Sequence, residues 1–121
     1  MDLITLANQI IDMRKHPLKH NGGRDYPTAA AAFTAGVEAC EDADVLREII
    51  QIDTGHVLPT VAKQRTYEKL LEVEGQRSAA LLDAFAMHLL MFGYVDAMGM
   101  RQPDTDARID ALLAEADAKR D

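Results

Sequence analysis

Leu3, Ile4, Ala7, Ile10 and Ile11 recur at spacings of three and four residues, which lines them along one stripe of a helix. Asp12, Arg14 and Lys15 continue its wet side. Pro17 disfavours helical geometry at the residue before it, so this helix is expected to end near His16. Asn21, Gly22 and Gly23 then break the chain. A second helix is expected from Pro27, a residue suited to a first helical turn, with Asp25 or Tyr26 at its cap. Its small side chains allow close approach to a neighbour along Ala32, Phe33, Gly36, Val37 and Cys40. After the acidic break at 41–44, Val45, Leu46, Ile49 and Ile50 mark the inner face of a third helix, capped by Asp42 or Asp44 and ended by Gly55. A fourth opens at Pro59 or Thr60 and runs to Gly75, with Val61, Tyr67, Leu70 and Leu71 inward. Ser78 caps the longest expected helix, residues 79–100, apolar almost all round except at Asp83, His88 and Asp96. A last helix starts at Asp104 or Thr105 with Ile109, Leu112, Leu113 and Ala116 on one face, and residues 117–121 are expected to fray.

No run alternates with the period of a strand. The predicted fold is all-α, a compact bundle of five to six antiparallel helices around a long apolar central helix, in a single domain over 1–121. The chain's 121 residues are 48% hydrophobic and 27% charged, a globular balance. Its apolar content rests on Ala, Leu and Met, which favour helices. The acids and the histidine within 79–100 argue against a membrane span. The amphipathic N-terminus lacks the features of a signal peptide, and one cysteine forms no internal disulfide. A cytoplasmic protein is expected, with Cys40 a structural thiol.

Charge sharpens the picture. The net charge is −7, which argues against nucleic acid and anionic membranes as partners and fits a basic protein partner. Two islands lack acids altogether. One holds Arg14, Lys15, Lys19 and Arg24, and the other Lys63 and Arg65; His16, His20 and His56 fall in the same two stretches. Outside them 20 acids face 7 bases. Should the islands meet, Lys19, His20, Arg24, His56, Lys63 and Arg65, with Tyr26 or Tyr67 for stacking, would bind a small phosphorylated or carboxylated ligand. Against this stand Asp25, placed where the anion would sit, and the lack of a phosphate-loop pattern, so residues 15–24 read first as a polar hinge.

Other chemistry is thinner. His16 and His20 have metal-ligand spacing, but Pro17 and the glycines interrupt the helix that would align them, so no metal or cofactor is expected. Asp83 and Asp96 point away from His88 on an ideal helix, no GxSxG occurs, and no catalytic residue is assigned. Residues 46–65 resemble a helix-turn-helix in outline only, since Gln51, His56 and Pro59 occupy positions that motif does not favour. Met87, Met91, Met98 and Met100, with Phe85, Phe92 and Tyr94, make an adaptable apolar surface larger than so small a domain buries alone. The leading expectation is a non-catalytic helical interaction or regulatory protein. It forms a homo-oligomer, a dimer by preference, with Met87, Met91, Phe92 and Met98 at the interface, and it engages another protein through acidic and Met-rich surfaces.

Overall fold

The computed structural model describes residues 2–120, and these are all-α. Met1 and Asp121, the two ends of the expected domain and tail, lie outside the described residues. The six α-helices are α1 (Leu3–Lys15), α2 (Tyr26–Ala39), α3 (Ala43–Ile52), α4 (Thr60–Glu74), α5 (Ala79–Phe92) and α6 (Thr105–Ala118), with a kinked 3-10 segment over Pro17–Gly23 between the first two.

Capping fixes several starts. The Asp2 carboxylate accepts the Thr5 N–H at 2.8 Å, Asp42 accepts those of Asp44 and Val45, and the Ser78 hydroxyl accepts that of Leu81 at 3.1 Å. The hinge forms as its residue types dictate, with Asn21, Gly22 and Gly23 all left-handed. The C-terminal end of α3 differs from expectation: it stops at Ile52, and the left-handed residue in the following loop is His56 (φ 52°), not Gly55.

Two apolar clusters share α4. In the first, Ala7, Ile10 and Met13 of α1, Phe33 and Val37 of α2 and Leu46 and Ile49 of α3 close over Ala62 and Leu70. At Gly36 a Cβ would lie 2.8 Å from Leu3 Cδ1, so the glycine makes room for the tip of that side chain. In the second, Tyr67 and Leu71 on the other side of α4 meet Leu82, Phe85 and Leu89 of α5 and Ile109, Leu112 and Ala116 of α6. Tyr67 and Phe85 stack nearly parallel, 5.3 Å between ring centroids.

The expected 79–100 helix is shorter than its composition suggested. It ends at Phe92 because Gly93 takes φ 82° and ψ 161°, a conformation open to glycine alone. At 14 residues α5 is no longer than α6, and α4 has 15. Nor is α5 enclosed, since Met87, Leu90 and Met91 face solvent. The chain beyond it folds into a tight hairpin-like turn. Its rungs are Gln102 N–H to Tyr94 O at 2.7 Å and Asp96 N–H to Met100 O at 3.0 Å.

Candidate functional site

Three places gather polar or exposed apolar side chains. The basic islands touch, but through Arg14, which was not among the expected anion ligands: its guanidinium donates to Val57 O at 2.8 Å and lies 5.5 Å from the Tyr26 ring. The expected ligands themselves disperse. Lys19 and His20 turn to Asp12, at 3.4 and 2.7 Å, and these contacts hold that carboxyl below the usual range, the His20 hydrogen bond most strongly. Arg24 is exposed at the end of the hinge. Arg65 is committed to Glu38 and Glu68. Tyr67 is buried against Phe85, and burial raises its phenol above the ordinary value.

Lys63 points inward. Its ammonium lies 3.1 Å from Asp53 Oδ2 and 3.1 Å from Ile50 O, and both side chains of the pair are almost wholly buried. Asp53 Oδ1 accepts the N–H groups of Val57 and Leu58, so this one carboxylate ties α4 to the loop 53–59. Burial outweighs Asp53 and holds the Lys63 ammonium below the ordinary lysine value. Beside the pair, His88 from α5 is 4% exposed, and neither ring nitrogen has a hydrogen-bond partner among the described residues. Burial first, then the charges of Lys63 and His56, push its pKa down to about 4, so the ring is neutral at pH 7. Phe92 packs on His88 at 5.1 Å and on His56 at 5.6 Å. The void bounded by Asp53, His56, Lys63, His88 and Phe92 is about 10 Å³, the size of one water at most. It is a structural junction without room for substrate.

The third place is the outer face of α5 and the turn after it. Met87, Leu90 and Met91 are 55%, 65% and 52% exposed, and Met98 and Met100 of the turn 85% and 64%. The turn is fixed from inside and outside. Buried Gln64 of α4 donates to Val95 O and accepts Val95 N–H, both at 2.9 Å. Asp96 Oδ1 accepts the N–H groups of Met98 and Met100. The two methionines are thus displayed on rigid backbone. Of the four residues expected at an interface, Met87, Met91 and Met98 lie outward, while Phe92 is half-buried between the two histidines. Leu90 and the anchors Gln64 and Asp96 escaped the sequence reading. Asp96 followed by Gly99 carries a turn pattern that a long apolar run masked.

Among the described residues no group of three or more His, Cys, Asp or Glu could hold a metal ion, and no helix is long and apolar enough to cross a membrane. No family model, curated protein or solved structure matches the chain.

Proposed function

We infer that this protein is a non-catalytic helical interaction module that pairs with a second copy of itself through the outer face of α5 and the methionine turn. The observation that carries the reading is the presence of five large apolar side chains, each more than half exposed, on one helix and on a turn that Gln64 fastens to α4 and Asp96 braces from within. A fixed backbone spares the chain's own ordering cost on binding, and the flexible methionine side chains adapt to the facing shape. In a two-fold pair α5 becomes the central, all-round apolar helix of an antiparallel assembly, which accounts for its composition. The acidic remainder of the surface is left free for a basic protein partner.

Sedimentation equilibrium of the wild type and of Met91→Glu tests this. The expected result is a wild-type dimer and a monomeric, fully helical variant. Each copy carries net charge −7, so added salt should tighten the pair by screening repulsion, the opposite of its effect on capture of a basic partner. A monomeric wild type, or a variant that dimerises as well as the wild type, overturns the reading.

A further inference from the structure

We propose that Met87, Met91, Met98 and Met100 form a reversible oxidation site for hydrogen peroxide, and that their conversion to sulfoxides releases the self-associated pair. The release rests on the self-association reading, whereas the oxidation site stands on exposure. Four of the five methionines among the described residues fall within residues 87–100, and each is more than half exposed, from 52% at Met91 to 85% at Met98. The fifth, Met13, is 4% exposed inside the first core cluster. A thioether needs no deprotonation to react, so access decides which sulfurs a peroxide reaches. The single thiol, Cys40, lies elsewhere, half-buried at the end of α2 with its Sγ 3.6 Å from Asp42 O.

At each methionine the sulfur lone pair attacks one peroxide oxygen. An S–O bond forms, the O–O bond breaks, and the second oxygen leaves as water with both protons. Sulfur loses two electrons and the peroxide gains them. Hydrogen peroxide is neutral, so the chain's net charge of −7 does not repel it. The product places a strong acceptor where an apolar sulfur was, and a covered apolar face offers that acceptor neither water nor donor. The turn cannot supply one, because Asp96 Oδ1 already takes the N–H groups of Met98 and Met100. The fold is spared, since none of the four side chains belongs to either buried cluster. Pairing covers the face, so peroxide attacks free copies, and oxidation should quicken as the protein is diluted.

Treatment of the full chain with hydrogen peroxide, followed by peptide mass mapping, circular dichroism and sedimentation equilibrium, tests the proposal. Each of the four methionines should gain one oxygen while Met13 gains none, and helicity should persist. Association should weaken by about a hundredfold or more, at about tenfold for each unmatched acceptor buried in the interface. Methionine sulfoxide reductases for both epimers, with dithiothreitol giving the two electrons and the oxygen leaving as water, should restore the pair. A variant combining Met87→Leu, Met91→Leu, Met98→Leu and Met100→Leu keeps an apolar face and Cys40, and should pair whether or not peroxide is present. Met13 oxidised as fast as the other four, a dimer that persists with all four sulfoxides mapped, failure of the reductases to restore pairing, or an equal response in the leucine variant overturns the proposal and leaves self-association standing. A monomer before any peroxide is added overturns the self-association reading and the release with it, and the peptide map then decides the oxidation site by itself.

Discussion

The two halves of the molecule solve the same packing problem to different standards. Around α1–α3 the cluster closes over Ile10, Phe33, Val37, Leu46 and Ile49, all fully buried, and among the described residues it leaves one large apolar side chain, Leu18, strongly exposed. Every buried side-chain polar atom without a partner among the described residues falls instead on Glu68, Glu74, Arg77 or His88. Among the described residues, six of the seven large apolar side chains left exposed come after residue 86. The first half is finished as a scaffold. The second retains polar groups and apolar surface that folding alone does not satisfy, as expected where a structure is shaped for contact with something else.

Large-to-small substitutions give the strongest test of that contrast. Phe33→Ala opens a fully enclosed site and should cost about 4 kcal/mol in urea unfolding, whereas Phe85→Ala, at the wall of an existing groove, should cost about 3 kcal/mol. A larger loss at Phe85 would show that the second cluster is the tighter one and break the comparison.

Acid separates the halves by a different route. His88 has its pKa lowered to about 4 from an ordinary 6.5, so between those values the unfolded chain binds the extra proton. Stability therefore falls as pH drops from about 6.5 to about 4, by up to about 3 kcal/mol at the lower end, and then levels. Asp12 in the first half behaves oppositely: its carboxyl is held down by His20, so its contribution is intact above the ordinary value of 3.8 and is lost only as pH falls through the lowered one. Replacing His88 with Phe should remove the slope between pH 6.5 and 4 and leave the more acidic transition in place. An unaltered slope in that variant would move the titrating group elsewhere.

Next in size is the anchor of the methionine turn. Gln64→Leu leaves the buried Val95 N–H and C=O without their partners and should cost about 2 kcal/mol. Its more telling effect is on amide exchange, which should accelerate over 93–102 while α1–α3 stay protected. Uniform acceleration would mean that the turn and the core open together.

Most of the helices were legible in the sequence because stripes and caps are local: Asp42 and Ser78 cap as their spacing implies, and Pro17 with Asn21 to Gly23 stops α1. What was not legible depended on distant partners. Gly93 sits inside a run rich in helix formers, and the local pattern of Gly93, Asp96 and Gly99 favours a turn there only together with the reach of Gln64 from α4 to Val95. The basic islands offered an anion site as the alternative to a polar hinge, because sequence shows charge without the partners it meets. Lys63 meets Asp53 ten residues away, and Arg65 meets Glu38 from another helix. The groove beside Phe85 gave no local pattern at all, since most of its walls come from α4, α5 and α6.

The smallest effect concerns the tail, where sequence suggested fraying. There Arg120 donates to both oxygens of Asp83, at 3.0 and 2.7 Å, and so joins the residues after α6 to the first turns of α5. Both side chains are more than a third exposed, and a partly solvated pair of this geometry stabilises by about 0.5 kcal/mol. Arg120→Ala should therefore barely move the unfolding midpoint. Its mark lies in local exchange: amides in the last turn of α6 should lose protection, and those at the start of α1, which Asp2 fastens independently, should not. The same loss should follow from Asp83→Asn, since a neutral amide cannot accept the guanidinium on two oxygens. Should Asp83→Asn leave the α6 amides protected, helix packing through Leu112 and Ala116 holds the tail without the ion pair, and the second half is better fastened at its end than in its groove.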